Sequence, residues 1–322
     1  MRFDKKDCWI ISDNIIGHEN QSIALADKLN LKYLIKKIKR LNYFQRNLLN
    51  LFPSLFLERN LYPPYPKIII SCGRNTAYVA EFFKRKLKKE ILSIFIQKPP
   101  INNKFFDLII TPKHDQYRGK NVINTNGSLT RIDQKYIRKI KQKIKKPSFI
   151  KEKYIVLLIG GNSRHHKIDN KILIKMKDNL KKVSEKYNFK ILILFSRRTG
   201  EFIENYLKDN LNKKKFIFIP NNSKKVDYLI ALSYAEIVIV SSDSVSMVSD
   251  ACSTGKPVYL IDIPTKSKKF KLFINNLINL KLVKFFNGSV SLKKNKNTLN
   301  DTENVANNIN IKILKFLNDQ KI

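Results

Sequence analysis

The chain alternates short apolar runs with longer amphipathic stretches along almost its whole length. The runs at 8–12 (CWIIS), 67–71 (KIIIS) and 154–159 (YIVLLI) have the length of buried strands, and stretches long enough for helices follow them. Strands that alternate with helices are typical of βαβ units and of a parallel sheet covered by helices. The sequence therefore predicts an α/β fold.

The predicted elements form two series. The first has strands at 8–12, 33–38, 67–71, 91–97, 106–111 and 121–125, with helices at 20–29 and 75–88. A basic helix within 133–153, stopped by Pro147, leads to the second series. That series has strands at 154–159, 190–195, 215–219, 236–240 and 257–261, with helices at 169–187, 200–211, 225–235, 244–254 and 267–279.

A chain of 322 residues is longer than one ordinary core requires. We predict two Rossmann-like domains, 1–148 and 149–322, that face each other across a cleft. The last predicted helix, about 301–320, could pack back on the first domain.

The charge is extreme. Lys and Arg number 63 against 26 Asp and Glu, a formal net charge of +37, which favours contact with nucleic acid, anionic lipid or nucleotide phosphates. Because 43% of the residues are hydrophobic, a disordered basic tail is excluded. The basic residues are spread through every predicted helix and do not form a module with interleaved aromatics, so nucleic acid is not expected as a specific partner.

Three cysteines, Cys8, Cys72 and Cys252, lie far apart and favour neither a disulfide framework nor a zinc site. The N-terminus does not resemble a signal peptide, and no apolar stretch reaches the ~18 residues of a membrane span. We expect a cytoplasmic protein. The amphipathic region 267–286 and the basic segments 36–40 and 135–146 could hold it peripherally on an anionic membrane, although such segments are commonly core helices or solvated faces.

Most of the nine glycines and all four histidines lie where predicted strands end. In parallel sheets, ligands bind beyond these carboxyl ends, where helix N-termini favour anions. The segments are 12–22, 71–76, 112–115, 160–166, 196–200, 241–244 and 253–256.

Several of these segments form a pattern: GHENQSxALA, IISCGRNTA, PKHD, LLIGGNS, SRRT and SSDSVSMVSDACSTGKPVY, in this order. The pattern resembles the mitochondrial fission (elongated-mitochondria) family, whose bacterial members are mostly uncharacterised. The resemblance implies a fold similar to the GT-B glycosyltransferases and to sugar-nucleotide epimerases of that architecture. The plant members of the family are associated with recruiting fission machinery to the mitochondrial surface.

By this resemblance the second domain would bind a nucleotide-sugar donor. Serine hydroxyls would contact the diphosphate and Asp250, where GT-B enzymes usually carry Glu, would contact the ribose. Asp243 suits a helix cap but would repel phosphate, so plain capping and packing remain open. The residues assigned to the donor are Gly160, Gly161, Ser163, Ser196, Arg197, Arg198, Ser241, Ser242, Asp243, Ser244, Ser246 and Asp250.

The first domain would bind the acceptor. Transfer to a hydroxyl requires a general base, for which His18 is the first candidate and His114, oriented by Asp115, the second. The residues assigned to the acceptor are Gly17, Asn20, Gln21, Gly73, Arg74 and Asn75, and helix capping is the alternative role for several of them.

The leading hypothesis is a metal-independent, inverting glycosyltransferase that uses a nucleotide sugar as substrate, needs no other cofactor, and acts on a hydroxyl acceptor such as a membrane-associated glycolipid. The alternatives are a non-catalytic membrane-surface adaptor and a sugar-nucleotide epimerase. The GxGxxG, GxxxxGK[ST], HExxH and GxSxG motifs are missing, which disfavours dinucleotide oxidoreductases, P-loop NTPases, zinc proteases and serine hydrolases.

Overall fold

The computed structural model describes residues 7–49, 61–144, 152–187, 189–213, 215–219 and 225–319. The chain divides into two compact units, Met1–Arg131 with Asn300–Ile322, and Ile132–Leu299. We refer to them as unit 1 and unit 2. The division falls at Arg131, whereas the sequence led us to place the boundary at 148/149. Pro147, on which that placement relied, lies outside the described residues.

Unit 1 contains a six-stranded, fully parallel sheet. Its strands are β1 (Cys8–Ser12), β2 (Tyr33–Lys37), β3 (Ile68–Cys72), β4 (Leu92–Ile96), β5 (Leu108–Pro112) and β6 (Val122–Thr125). The order across the sheet is β2-β1-β3-β4-β5-β6. The direction of progression reverses between β1 and β3, which makes the gap between their carboxyl ends the topological switch point of this sheet.

Among the described residues of unit 1, four helices accompany this sheet: α1 (Ile16–Lys28), α2 (Tyr43–Leu48), α3 (Arg74–Leu87) and, after the return of the chain from unit 2, a C-terminal helix (Asp301–Asp319). Alternate strand residues face opposite sides, so Ile10 and Ile70 pack with α1 and the C-terminal helix while Trp9 and Ile69 pack with α3. The buried Asp301 carboxylate accepts hydrogen bonds from the Asn126 and Gly127 amides, which ties the C-terminal helix to the end of β6.

Unit 2 contains a second parallel sheet of six strands: β7 (Tyr154–Ile159), β8 (Lys190–Phe195), β9 (Phe216–Ile219), β10 (Ile237–Ser241), β11 (Val258–Ile261) and β12 (Lys284–Phe285). The order is β12-β11-β10-β7-β8-β9. This is the Rossmann order, and its switch point lies between β7 and β10.

The helices of unit 2 are α4 (Gln134–Lys143), α5 (Asn170–Tyr187), α6 (Glu201–Asn210), α7 (Lys225–Tyr234), α8 (Val245–Ser253) and α9 (Lys268–Asn279). We number the C-terminal helix of unit 1 α10. Helix α4 packs on α7, and Ile137 joins a buried cluster with Val156 and Val238, which explains why this helix belongs to unit 2.

These two sheets confirm the predicted α/β class with two Rossmann-like domains. The amphipathic region 267–286 forms α9 and β12, and Phe273 and Leu277 of α9 are buried in the unit 2 core. Among the described residues, no helix combines the length and apolar character needed to span a bilayer.

Candidate functional site

A histidine and a carboxylate meet at the switch point of unit 1. His18 Nδ1 lies 3.2 Å from both carboxylate oxygens of Asp13, which directly follows β1. The Asp13 side chain is 3% exposed and that of His18 is 22% exposed. The buried carboxylate therefore contacts the Nδ1 edge of the imidazole, and the ring remains partly accessible to a ligand.

Gly73, which directly follows β3, leaves room for the contact between His18 and Asp13. Its φ of +97° belongs to the left-handed region, and a Cβ there would overlap the His18 ring and lie 3.1 Å from Asp13 Oδ2. Gly73 is also the residue before the first turn of α3. The local geometry of β3 and α3 therefore requires glycine where the imidazole approaches.

The other residues assigned to the acceptor lie at the same sheet edge with different environments. Gly17 and Asn20 are in the first turns of α1, and buried Gln21 donates to the Gly17 carbonyl at 3.2 Å. Arg74 is exposed at the start of α3. Buried Asn75 accepts a hydrogen bond of 2.9 Å from Arg46, a partner that the sequence analysis did not identify.

The second candidate base lies farther along the sheet. His114 and Asp115 follow β5, and β3 and β4 separate that strand from β1. His114 is buried, and Asp115 accepts a hydrogen bond of 3.0 Å from the Thr111 hydroxyl. The structure thus places these two residues away from the switch point, whereas His18 and Asp13 are at it.

Asp13 is the principal residue that the sequence analysis missed in unit 1. It was part of the segment after β1 but was not assigned a role. Its position in the first turn after a buried strand, at the same strand end as His18, is the signal that would have identified it.

The switch point of unit 2 brings together the ends of β7 and β10. The Gly160 amide donates to Ser241 Oγ at 2.8 Å, and the Gly161 amide donates to Asp243 Oδ2 at 3.0 Å. A Cβ at Gly160 would overlap the Asp243 carboxylate, and one at Gly161 would overlap the Arg198 carbonyl. These glycines allow close approach, but the groups that approach them belong to the protein itself.

Asp243 is paired with an arginine. Arg198 donates from its guanidinium to Asp243 Oδ2 at 2.9 Å, while Arg197 is exposed beside it. The two adjacent arginines therefore differ in their surroundings, and Arg198 is the one bound at the switch point. Its positive charge already has a carboxylate partner.

The predicted serine hydroxyls divide into two groups. Ser241 and Ser242 are buried, and Ser242 Oγ accepts a hydrogen bond from the Ile263 amide. Ser244 caps α8 through the Met247 amide, and Ser246 is exposed in the first turn of that helix. Helix geometry leaves the Val245 and Ser246 amides without intrahelical acceptors, so the N-terminus of α8 carries the donors suited to an anion.

Ser196 and Ser163 hold the neighbouring loops together. Ser196 Oγ donates to the Gly160 carbonyl at 2.9 Å, and Thr199, which the sequence analysis missed, donates to the same carbonyl at 2.6 Å. Ser163 Oγ accepts hydrogen bonds from the His165 and His166 amides. Both serines therefore organise loop backbone.

His166 is a buried histidine in the loop after β7. It is buried, with its ring edge against Phe270, and burial is the main cause that lowers its pKa, which Arg198 also lowers while Asp243 opposes the shift. The imidazole is therefore neutral near pH 7. Positive charge in this loop comes from Arg164, not from His166.

Asp250 lies in α8 and accepts a hydrogen bond of 2.8 Å from the Tyr228 hydroxyl. Burial, together with the Asp250 charge, raises the pKa of Tyr228 well above its usual value. The hydroxyl thus remains protonated and orients the carboxylate. Tyr228 is a further residue that the sequence analysis missed.

The described residues contain no group of three or more His, Cys, Asp or Glu side chains arranged to hold a metal ion.

Solved structures share this architecture. The structure of S. aureus MnaA with UDP covers 97% of the chain and 98% of its own, with a TM-score of 0.54 and 12% identity. UDP-GlcNAc 2-epimerase from Methanocaldococcus jannaschii covers 96% of the chain and 99% of its own, with a TM-score of 0.54 and 13% identity. The fold is accordingly a two-domain α/β fold of the GT-B-like class, as predicted.

Sequence comparison adds the family. The model of the family described as Mitochondrial fission ELM1 matches residues 16–313, and the chain belongs to this family. The uncharacterized protein RP120 of Rickettsia prowazekii is 29% identical over 355 residues, with 96% of the chain and 97% of that protein covered. The mitochondrial fission protein ELM1 of Arabidopsis thaliana is 26% identical over 270 residues, with 76% of the chain but only 63% of that protein covered.

Proposed function

We propose that this protein is a glycosyltransferase that transfers a sugar from a nucleotide donor to a hydroxyl acceptor. The observation that carries the proposal is the contact between His18 and buried Asp13 at the switch point of unit 1. A buried carboxylate on Nδ1 holds the imidazole in the tautomer that carries its proton on Nδ1. The Nε2 lone pair is then available to a substrate hydroxyl.

In the proposed reaction His18 is the general base and Asp13 is a positioning residue. Nε2 takes the proton of the acceptor hydroxyl as its oxygen forms a bond to the anomeric carbon of the donor. The bond from that carbon to the phosphate oxygen breaks, and the nucleoside diphosphate leaves with the electron pair. Asp13 stabilises the imidazolium that forms. Direct displacement of this kind inverts the configuration at the anomeric carbon.

Unit 2 would bind the donor through its own switch point. The first-turn amides of α8 at Val245 and Ser246 would contact the diphosphate. Asp250, oriented by Tyr228, would accept hydrogen bonds from the ribose hydroxyls. The MnaA structure contains UDP in a protein of the same fold, which supports a nucleotide partner for this chain.

The first experiment is a thermal-shift panel of UDP, GDP, CMP and dTDP sugars with the full chain. A saturable rise in Tm with one nucleotide class is expected, because a ligand that binds only the folded state stabilises it. If no member of the panel gives such a rise, the protein does not bind a nucleotide-sugar donor and the proposal is wrong.

The second experiment tests turnover by NMR of the donor and its products. With the donor selected by the panel and a set of hydroxyl acceptors, His18→Ala is expected to lower kcat by about 100-fold or more. Asp13→Asn is expected to lower kcat and shift its pH profile while KM changes little. The control is Asp27→Asn, an exposed carboxylate at the other end of α1. An isomerised nucleotide sugar without transfer would instead identify an epimerase.

A second candidate is an adaptor without turnover. The polar groups at the unit 2 switch point form hydrogen bonds within the protein, and these bonds hold the switch point together without a ligand. They are the Gly160 and Gly161 amides, the Ser241 and Ser242 hydroxyls and the Arg198 guanidinium. In a strain that lacks the gene, His18→Ala and Asp250→Ala variants would restore the phenotype if the protein were an adaptor. A glycosyltransferase would not restore it with His18→Ala.

A further inference from the structure

A cavity of about 390 Å³ lies at the edge of the unit 2 sheet opposite the switch point. It is lined by residues that precede β10 and β11, among them Glu236 and Lys256, by one face of α4, and by the segment around Lys294. Neither proposed binding region uses these residues. The cavity is therefore a separate feature of unit 2.

The charged residues of the cavity are nearly all positive. Arg138 and Lys141 come from α4, Lys256 from the turn before β11 and Lys294 from the segment before α10, whereas Glu236 is the single acid among the lining residues. Four cations therefore share one recess with one carboxylate. The four positive charges repel one another, and a bound anion would reduce this repulsion.

Lys256 is the least exposed of the four cations. Its ammonium donates to the carbonyls of Ser233 (3.0 Å) and Ala235, at the end of α7. Burial, followed by the charges of Lys141 and Lys294, lowers the pKa of Lys256 to about 8, while Glu236 acts in the opposite direction. The neighbouring positive charges thus make the protonated form of Lys256 less stable.

A second cavity, of about 740 Å³, adjoins the first and shares Lys294 and Asn295 with it. It adds four lysines and no acid to the lining: Lys281, Lys284, Lys293 and Lys296. The positive surface is therefore longer than a single phosphate, and it matches an anion with several linked phosphate groups.

We propose that the first cavity, defined by Arg138, Lys141, Lys256 and Lys294, binds a small oligophosphate anion. Arginine and lysine side chains from α4 and the segment before α10 would contact the phosphate oxygens with charge-assisted hydrogen bonds. The site is on the opposite edge of the sheet from the N-terminus of α8, so it can be occupied together with a nucleotide at the switch point.

The test is titration calorimetry of the full chain with inorganic tripolyphosphate at moderate ionic strength, because salt screens exposed charges. The variant Arg138→Gln with Lys141→Gln is expected to weaken binding about tenfold. The matched control, Lys139→Gln with Lys143→Gln, removes the same charge from exposed residues of the same helix that do not line the cavity, and is expected to change affinity by less than about threefold. Equal loss in both double variants would overturn the proposal.

Two further measurements test where on the protein the anion binds and which source of phosphate the protein prefers. Arg164→Gln, at an exposed arginine in the loop after β7, is expected to leave the affinity for tripolyphosphate unchanged. A loss with this variant would move the anion to the switch point and overturn the assignment. Vesicles of phosphatidylcholine with phosphatidylglycerol test a lipid headgroup as the source of phosphate. If wild-type protein bound these vesicles but not tripolyphosphate, the proposal of a free oligophosphate would be wrong.

Discussion

Arg198 is the counterion of Asp243. Its guanidinium donates to Asp243 Oδ2 at 2.9 Å, the Asp243 side chain is fully buried and that of Arg198 is 41% exposed. The other oxygen, Asp243 Oδ1, has no hydrogen-bond partner among the described residues. The buried charge thus depends on Arg198 and on the Gly161 amide, which donates to the same oxygen, Oδ2.

Arg198→Gln is expected to destabilise the protein by about 1–3 kcal/mol, since it leaves a buried carboxylate without its counterion, and the partial exposure of Arg198 moderates the loss. Arg197→Gln, at the exposed neighbouring residue, is expected to change stability by less than about 0.5 kcal/mol. Urea unfolding measures both. Adding Asp243→Asn to Arg198→Gln should recover part of the loss, and a further loss would show that the Asp243 charge is not its cause.

Gly73→Ala is expected to destabilise the protein and to displace His18. The positive φ alone costs about 1 kcal/mol for alanine, and the added methyl group would overlap the imidazole. Gly200→Ala is the matched control, because Gly200 also has a positive φ (+75°) but open space around its Cβ position. Urea unfolding should show a larger loss for Gly73→Ala by about 1 kcal/mol or more. Equal losses would mean that the ring moves aside without cost.

Gly17 lies in the first turn of α1 with no atom within 4 Å of a Cβ built on it. Gly17→Ala should therefore stabilise the protein by about 0.5 kcal/mol, because alanine loses less backbone entropy in a helix. If the open space admits an acceptor, the same variant should raise KM in the transfer assay without lowering stability. If the variant were more stable but had unchanged kinetics, Gly17 would not be part of the acceptor-binding region.

The order of strands and helices could be predicted because the alternation of short apolar runs with amphipathic stretches can be seen locally in the sequence. The switch points could not, since they depend on which strands pair. His18 was identified from the sequence as a histidine at a strand end, but its partner Asp13 depended on the curvature of the chain between β1 and α1. Likewise, the sequence led us to assign Gly160 and Gly161 to the donor, and only the packing shows that Asp243 and the Arg198 backbone occupy the space beside them.

The division between the units shows the same limit. Pro147 is a strong local signal for a helix end, yet the compact units divide at Arg131. Membership of α4 in unit 2 follows from the contact of Ile137 with the unit 2 core, a long-range packing effect that composition does not encode. The Lys256 cavity was also not predicted, because its cations come from three separate segments, and α4 is more than a hundred residues from Lys256 and Lys294.

Lys256 is expected to make stability rise with pH above about 8. Its pKa in the folded state, about 8, is below the usual 10.5, so between these values the unfolded chain binds more protons and a rise in pH favours folding. Burial raises the pKa values of Cys8, Cys72 and Cys252, which acts in the opposite direction, so the comparison must be with a variant. From pH 8 to about 9.5, urea unfolding should show wild type gaining about 1–2 kcal/mol relative to Lys256→Met. Lys139→Met, at an exposed lysine of α4, should keep the wild-type slope, and parallel slopes for wild type and Lys256→Met would contradict the prediction.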